Sequence, residues 1–304
     1  MRSEIMNDPA GVLIGELKNL QDIADCIKPS RADVPVLDGI DVYGETLSLN
    51  EAGGGDHIIY VDFQKRYDLQ ARIERADAQG RDDIVENLKR CRRMAGIVLF
   101  DVSGHHVTDT VVAAMLHQAF LVGSLYELDM FGHITKHLFE NLNTQFYDSS
   151  SLHKFATMIY GEISEDSTFR FLSAAHPAPV VFSYKLDRFM PVSRELCTSF
   201  PPIGTLPSNN TIDWRKTQSV LGFKDQYQLN EWKLMGTGDI LLLYTDGLSE
   251  HMKDNERYFP ERLERKVREL KHKRARQIFE GIKTDVLNFA EAADDISFVV
   301  IKRA

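Results

Sequence analysis

The sequence predicts an α+β fold in which two sheets are layered between pairs of helices. Short apolar runs typical of buried strands occur in both halves of the 304-residue chain, at 97–100 and 240–244. Pairs of amphipathic helical patterns lie between the groups of strands. With 43% hydrophobic and 27% charged residues, the composition is that of a globular protein with a sizeable core.

The first segment is predicted to be a helix within residues 1–29. Its apolar residues recur at three- and four-residue steps and form one stripe: Leu13, Leu17, Leu20, Ile23 and Ile27. Pro29 and Ser30 end the pattern. Such a stripe either docks on the chain's own domain or pairs with a second copy of the chain. We therefore divide the chain into a helical connector at 1–29 and one domain at 30–304.

Two predicted strands follow, at 40–44 and 58–63, with a glycine-rich turn before Asp56. Residues 65–94 then carry nine basic and six acidic side chains, with apolar residues at i and i+4 on either side of Gln79-Gly80. This pattern predicts a charged hairpin of two short helices inserted in the domain. Its outer face is either simply solvated or a docking surface for a partner.

The remaining elements follow from the same periodicities. Apolar runs and alternation predict strands at 96–100, at 155–184 (two or three strands), at 240–244 and at 296–301. Helical spacing predicts helices at about 107–127, 129–146 and 260–290. In the first of these helices, six residues are expected to face the core: Val111, Val112, Met115, Leu116, Ala119 and Phe120.

Charge and cysteine content exclude several classes of protein. The chain has 36 Lys and Arg against 45 Asp and Glu, a net charge of −9, which disfavours a nucleic-acid partner. Its three cysteines are far apart, so they predict neither a disulfide framework nor a zinc site, and they indicate a reducing compartment. No signal-peptide core is recognised, and no apolar run approaches the ~18 residues of a membrane helix. We expect a soluble, cytoplasmic protein without a membrane partner.

Acidic residues occur at the ends of the predicted strands. Asp56, Asp101, Asp246 and the pair Asp294-Asp295 each follow or precede an apolar strand or lie at a glycine turn. If these ends meet at one edge of the sheets, the carboxylates repel one another unless a cation lies between them. Oxygen ligands without nearby Cys or clustered His favour Mg²⁺ or Mn²⁺. For any single Asp, a turn or helix-cap role remains the alternative.

The chemistry open to such a site is narrow. The segment Asp101-Val102-Ser103-Gly104 lacks the Gly two residues before Ser that a nucleophile elbow needs, so no covalent nucleophile is evident. Two cations held by carboxylates can share a water molecule, lower its pKa and direct it at phosphorus. The site therefore favours phosphoester hydrolysis.

Five motifs in order carry a family resemblance: Gly54-Gly55-Asp56, Asp101-Val102-Ser103-Gly104-His105, Ala175-His176-Pro177-Ala178-Pro179, Gly238-Asp239 through Thr245-Asp246-Gly247, and Asp294-Asp295-Ile296-Ser297. Together they resemble the PPM-type (protein phosphatase 2C-like) metal-dependent serine/threonine phosphatases, within the bacterial SpoIIE/RsbU-like branch. The resemblance runs from about residue 30 to the C-terminus. It implies a β-sandwich of two antiparallel sheets flanked by pairs of helices.

The resemblance also implies the site residues. Two divalent cations, Mn²⁺ or Mg²⁺, would be held by five groups: the catalytic carboxylates of Asp56, Asp101, Asp246 and Asp294, and the backbone carbonyl of Val102. Asp295 would lie beside the second cation. His105 would be either the general acid for the leaving serine oxygen or a hydrogen-bonding residue that positions the loop. Gly55 and Gly247 would let the backbone approach the site closely.

Some residues depart from the family pattern. His106 and Asp109 place polar groups at the start of a helix where small apolar residues are usual, and Asp109 there is interpreted as a helix cap. His176 is expected to be structural. No Arg stands at a motif position that would assign it to the substrate phosphate, so that role stays open.

The activity implied by the resemblance is hydrolysis of phosphoserine or phosphothreonine on a regulatory protein. The pathway would be bacterial partner switching, with a phosphorylated anti-sigma-factor antagonist-like regulator as the substrate. Independently of the resemblance, the apolar stripe of the N-terminal helix indicates a homodimer through that helix if the stripe pairs with a second copy. The alternative is a catalytically weak, phosphatase-like docking or scaffold module. A metal-dependent nuclease is disfavoured because no basic patch lies near the motifs.

Overall fold

Two sheets form the centre of the computed structural model, which describes residues 9–49, 54–104, 107–149, 154–192, 196–209, 212–233 and 236–304. Within these ranges the strands are β1 (Ile40–Leu47), β2 (Asp56–Asp62), β3 (Met94–Val102), β4 (Ala156–Ser164), β5 (Phe169–Ala174), β6 (Val180–Ser183), β7 (Arg188–Phe189), β8 (Ser199–Phe200), β9 (Asn230–Trp232), β10 (Ile240–Tyr244), β11 (Met252–Lys253), β12 (Glu256–Arg257) and β13 (Ile296–Arg303). The helices are α1 (Pro9–Ile27), α2 (Phe63–Arg66), α3 (Leu69–Ala78), α4 (Asp82–Cys91), α5 (Val107–Phe131), α6 (Lys136–Ser149), α7 (Asp246–Ser249), α8 (Glu261–Leu270) and α9 (Ala275–Phe289).

The strand order differs from the chain order in both sheets. Sheet 1 has the order β1-β13-β10-β6-β7, and all its pairs are antiparallel. Sheet 2 has the order β2-β3-β4-β5-β8, with β9 also paired to β5, and only the short β5–β8 pair is parallel. Strands from the two ends of the chain therefore lie side by side in sheet 1.

Helices cover the outer face of each sheet. Helices α8 and α9 pack on sheet 1, and α5 with α4 packs on sheet 2. One apolar cluster lies between the sheets and one lies between each sheet and its helices. These layers confirm the predicted α+β fold of two sheets between pairs of helices.

The continuous apolar runs are explained by burial on both faces of a strand. In β10, Leu241 and Leu243 point between the sheets, while Leu242 and Tyr244 point toward α8 and α9. In β3, Ile97 and Leu99 likewise belong to the cluster between the sheets, and Val98 and Phe100 belong to the cluster on the helix side. A strand covered on both faces has no reason to alternate with polar residues.

The helical hairpin at residues 65–94 consists of α3 and α4. The side chain of Asp68 caps α3 by accepting a hydrogen bond from the Ala71 N–H at 2.9 Å. Ile73 and Leu88 are buried in the cluster that also contains residues of α5. The hairpin therefore contributes to the core of the domain with one face and presents its charges on the other.

Helix α5 differs from the prediction in the face that it buries. Val112 and Leu116 point into the core as expected, whereas Val111, Met115 and Ala119 are exposed. The prediction assigned these three residues to the core because apolar residues occur on more than one side of this helix. Val111, Met115 and Ala119 instead form part of an exposed apolar surface of α5.

By length and composition alone, the part of α5 from Asp109 to Phe131 could cross a membrane. The sequence analysis expected no such segment. In the structure the same helix supplies Leu116 and Phe120, which are buried in the core against sheet 2. We therefore describe α5 as a helix of the domain core.

Candidate metal centre

Two carboxylates face each other at one end of sheet 2. Asp56 begins β2, Asp101 lies near the end of β3, and the antiparallel register places them directly opposite each other. Asp56 is buried and Asp101 is half-buried. Like charges in directly opposed positions destabilise a sheet. The folded chain thus maintains an unfavourable pair here.

The matching end of sheet 1 carries the other acidic motifs. Asp246 follows β10, and Asp294-Asp295 precede β13, which pairs with β10 in antiparallel register. Thr245 connects the two sheets, because its hydroxyl donates a hydrogen bond to Asp56 Oδ2 at 2.7 Å. The Thr245 N–H also donates to the Ser297 carbonyl at 3.0 Å, which fixes Thr245 on the last strand. The strand ends thus form one acidic edge shared by both sheets.

Burial and mutual repulsion act on the carboxylates of this edge. Burial, followed by the charge of Asp101, raises the pKa of Asp56 well above its ordinary value. Burial, followed by the charges of Asp246 and Asp294, raises the pKa of Asp101 to about 8. Both carboxyls are therefore poor at holding negative charge without a nearby cation. A divalent cation would reverse both effects.

Glycines allow the chain segments to approach closely at this edge. A Cβ on Gly55 would lie 2.4 Å from the Val102 carbonyl oxygen and 3.0 Å from Asp101 Oδ1. A Cβ on Gly247 would lie 1.9 Å from the Asp295 carbonyl oxygen. No side chain fits at either position. The backbone at both glycines therefore lies close to neighbouring chain segments, as the sequence analysis expected. Gly54 is similarly restricted, with a Cβ 1.5 Å from Asp295 Oδ2.

The two aspartates of the Asp294-Asp295 pair have different surroundings. Asp295 is buried, and its Oδ1 accepts a hydrogen bond from the Leu49 N–H at 2.6 Å. Asp294 is half-buried, and its Oδ1 accepts from the Asp295 N–H at 2.7 Å. Asp294 is therefore the more accessible of the two carboxylates, and its assignment as the ligand stays a prediction.

The donor set is chemically suited to a hard cation. The candidate groups are carboxylates of Asp56, Asp101, Asp246 and Asp294 and the carbonyl of Val102, all oxygen donors of the kind that Mg²⁺ and Mn²⁺ prefer. Among the described residues, however, no group of three or more His, Cys, Asp or Glu side chains has an arrangement ready to hold a metal ion. At the shared edge the carboxylates are close enough to interact electrostatically. Which of them bind a cation remains a prediction.

The structure describes His176 but not His105, the two histidines to which the sequence analysis gave roles. His105, the candidate general acid, and its neighbour His106 lie outside the described residues. His176 is buried, and its Nδ1 lies 3.0 Å from the hydroxyl of Thr157, which is opposite Asp101 in the β3–β4 register. Burial lowers the pKa of His176 to about 3, so the ring is neutral at physiological pH. This environment is compatible with the structural role expected of it.

Asp109, interpreted from the sequence as a helix cap, forms a long-range ion pair in the structure. Its carboxylate is fully buried in the first turn of α5 and lies 2.9 Å from Lys154 Nζ. The same ammonium donates to the Ser103 carbonyl at 2.7 Å, next to the Val102 position. This ion pair therefore attaches α5 to the loop that follows Asp101.

Sequence reasoning missed two groups at this site. Thr245 stands inside the Thr-Asp-Gly motif, and its position next to Asp246 was the available signal for a residue that orients a carboxylate. Lys154 had no such signal, because it is far from Asp109 in the chain and meets it only in the folded structure. A long-range ion pair of this kind is not visible in local sequence patterns.

Comparisons with known proteins agree on one family. Residues 92–304 match the family model described as Stage II sporulation protein E (SpoIIE). No curated protein sequence matches the chain. The SiaA PP2C domain of Pseudomonas aeruginosa aligns with a TM-score of 0.64 and 13% identity, covering 98% of this chain and 99% of that one.

Two larger structures are also similar. The RsbU and RsbW domains of a Mycobacterium tuberculosis protein align with a TM-score of 0.59 and 21% identity, covering 89% of this chain and 61% of that one. The PP2C phosphatase domain and a regulatory fragment of SpoIIE from Bacillus subtilis align with a TM-score of 0.59 and 15% identity, covering 88% of this chain and 64% of that one. This chain thus spans less than two thirds of either structure. At these identities the likeness establishes a shared fold.

Proposed function

The chain belongs to the SpoIIE family and has the fold of PP2C phosphatase domains, and on this premise we propose that it hydrolyses phosphoserine or phosphothreonine on a regulatory protein. The observation that carries the proposal is the acidic edge shared by the two sheets. Four aspartates lie at strand ends there, and burial together with mutual repulsion raises the pKa of Asp56 and of Asp101. Such an edge is suited to divalent cations and, through them, to a phosphate group.

The proposed ligands are Asp56, Asp101, Asp246, Asp294 and the Val102 carbonyl, for two cations that are Mn²⁺ or Mg²⁺. Cations bound there supply positive charge for the phosphate and lower the pKa of a water molecule. Thr245 donates a hydrogen bond to one Asp56 oxygen and so orients this carboxylate. Gly55 and Gly247 let the chain segments that carry the proposed ligands approach one another closely. His105 is proposed to protonate the leaving oxygen or to position the loop.

The proposed partner is a phosphorylated protein of a bacterial partner-switching pathway. One similar structure contains RsbU and RsbW domains in the same protein. We extend from this only the class of substrate, a phosphorylated regulator that resembles an anti-sigma-factor antagonist. The setting we propose is the cytoplasm, with no nucleic-acid or membrane partner.

A homodimer through α1 is part of the same proposal. Val12, Leu13 and Ile14 are exposed on α1, and α1 packs against α5, whose Val122 and Tyr126 are exposed as well. Apolar side chains on adjoining helices form a surface of the kind that a second copy can cover.

The test of the proposed function is hydrolysis of p-nitrophenyl phosphate with and without Mn²⁺. We expect turnover that depends on Mn²⁺ and that falls roughly 100-fold or more in Asp246→Asn, beyond the effect of losing an outer-shell partner. Asp77→Asn, at an exposed position of α3, is the matched control and keeps full activity.

Thermal unfolding gives a readout that does not depend on turnover. Mn²⁺ is expected to raise the unfolding temperature of the wild type, because it binds the folded state, and to raise that of Asp246→Asn less. A folded wild type that binds Mn²⁺ and hydrolyses nothing would favour the docking or scaffold module instead. Turnover that is independent of metal would contradict the proposed centre.

A further inference from the structure

An open groove of about 700 Å³ lies beside the acidic edge. We call it the side groove, and its lining includes Tyr147, Lys154, Phe155, Gly204, Val220 and Leu221. Its volume is in the range of pockets that enclose a small ligand or a few side chains. None of the proposed metal ligands is among its lining residues.

The inner end of the side groove is joined to that loop by three hydrogen bonds. The Ser103 N–H donates to the Phe155 carbonyl at 2.9 Å, and the Phe155 N–H donates to the Ser103 hydroxyl at 3.2 Å. Lys154 Nζ donates to the Ser103 carbonyl at 2.7 Å. Ser103 is two residues after Asp101, so these hydrogen bonds connect the groove to the chain segment that carries a proposed ligand.

The outer wall of the side groove is apolar and exposed. The side chains of Val220 and Leu221 are 100% and 82% exposed, and Phe155 is 39% exposed. Apolar groups that cluster beside a candidate active site commonly mark a binding surface, whereas isolated ones need no explanation. Lys154 lies at the inner end with its ammonium paired to Asp109, and Asp148 also lines the groove.

The exposure of this wall does not come from a detached loop. The segment is held to α6 by an ion pair between buried Lys224 and Glu140, with Nζ and Oε2 2.8 Å apart. The Tyr147 hydroxyl donates to the Gln218 carbonyl at 3.1 Å, and the Ser219 hydroxyl donates to the Gly222 carbonyl. Val220 and Leu221 are therefore presented to solvent by a segment that is fixed on both sides of them.

We propose that the side groove binds the peptide segment next to the phosphorylated residue of the protein substrate, and that an apolar side chain of this segment packs against Val220 and Leu221. The proposal rests on the proposed function and adds a preference for the substrate sequence. A peptide is favoured over a second copy of the chain because the groove is continuous with the acidic edge through Ser103 and Lys154. A phosphoserine held at that edge has its flanking residues on the same side of the chain as Ser103, whose hydrogen bonds connect the edge to the groove.

The experiment uses synthetic phosphoserine peptides and the full chain. One peptide has only alanines around phosphoserine, and others carry a Leu pair or an Asp pair on its amino or its carboxyl side. We expect kcat/KM to be about fivefold higher for a Leu peptide than for the alanine peptide, since a half-buried Leu gains part of its transfer free energy. The Asp peptides are expected to gain nothing.

Leu221→Asp and Val220→Asp test the wall, and Asn209→Asp adds the same charge at an exposed position of the same segment outside the groove. In the two wall variants the Leu preference is expected to fall to about one, with p-nitrophenyl phosphate hydrolysis unchanged. The control is expected to keep the preference. An equal loss on p-nitrophenyl phosphate would make the wall merely structural and would overturn the proposal.

Two further outcomes separate this proposal from others. A wild type that hydrolyses p-nitrophenyl phosphate and shows no Leu preference on either side overturns the side groove as a peptide site. A change of mass in solution in Leu221→Asp assigns the groove to a second copy and also overturns it. Fluorescence anisotropy of the same peptides without turnover tests the groove if hydrolysis itself fails: tighter binding of a Leu peptide supports it, and equal binding refutes it.

Discussion

The ion pair between Lys154 and Asp109 helps to fix the loop after Asp101, and no sequence motif predicted it. Asp109 is fully buried, and the ammonium of Lys154 neutralises it while holding the Ser103 carbonyl. Gly104 follows Ser103 with φ = +116°, and a Cβ there would lie 2.6 Å from Lys154 Nζ. The loop after Asp101 thus depends on a glycine and on this pair for its course.

Lys154→Met is expected to lower the free energy of unfolding by about 2–4 kcal/mol, because it leaves the Asp109 carboxylate buried without its cation. The measurement is the urea midpoint at neutral pH. The double variant Lys154→Met with Asp109→Asn removes the charge as well, and we expect it to recover at least half of the loss. A single variant within about 0.5 kcal/mol of the wild type would show that solvent already screens the pair.

Glu162 is a second buried acid, far from the candidate centre along sheet 2. Its Oε1 accepts a hydrogen bond from the Tyr160 hydroxyl at 2.7 Å. Burial raises the pKa of Glu162, so the folded protein keeps this proton at pH values where the unfolded chain has lost it. The stability that this group contributes is present below the unfolded pKa and is lost as the pH rises through the folded pKa.

Glu162→Gln removes that pH-dependent loss and keeps an oxygen that accepts from Tyr160. We expect the variant to be more stable than the wild type by about 1 kcal/mol at neutral pH and to have no advantage near pH 4. Denaturant unfolding at both pH values checks this. Glu86→Gln, at an exposed position of α4, is the control and should leave the difference between the two pH values unchanged. An advantage that persists at low pH would contradict the titration of Glu162.

At the scale of elements, α5 is connected to the candidate centre at two points, each through a residue that is not itself a proposed ligand. Asp109 in its first turn holds Lys154, and His117 further along donates to or accepts from His57 at 2.7 Å between Nδ1 and Nε2. His57 is the residue after Asp56 on β2. A movement of α5 would therefore be transmitted to both strands of sheet 2 that carry candidate ligands.

The strands were more predictable from the sequence than the helix faces. In β10 and β3 the apolar run itself reports burial on both sides, so their bounds were predicted within a few residues. In α5, by contrast, apolar residues surround the helix, and Met115 was assigned to the core although it is 55% exposed. Local periodicity cannot rank two apolar faces, because the choice depends on what packs against them.

The candidate site was predictable as a set of strand ends and not as a set of contacts. Asp56, Asp101 and Asp246 were predicted as site residues because each lies at the end of an apolar run or at a turn. The hydrogen bond from Thr245 and the ion pair of Lys154 were not found, because both join segments that are far apart in the chain. Pairing between distant segments is decided by the tertiary packing, which single-sequence patterns do not encode.

At the scale of the whole molecule, the exposed apolar residues of α1 predict self-association. Leu13→Glu with Ile14→Glu is expected to halve the mass measured by sedimentation, since two charges would have to be buried in a dimer interface. The side chains are exposed in the single chain, so its fold should be unaffected. Lys18→Glu, exposed on the same helix, is the control. A wild type that is already a monomer, or a double variant of unchanged mass, would contradict the dimer.

The hydrogen bond from Thr245 to Asp56 joins the two sheets at the acidic edge, and the proposed ligands are likewise divided between them. A cation held there would link the two sheets. If one sheet slid over the other, the ligands would separate and the cation would dissociate. The dissociation rate of the cation would then report how often the two sheets shift relative to each other, even in the absence of substrate.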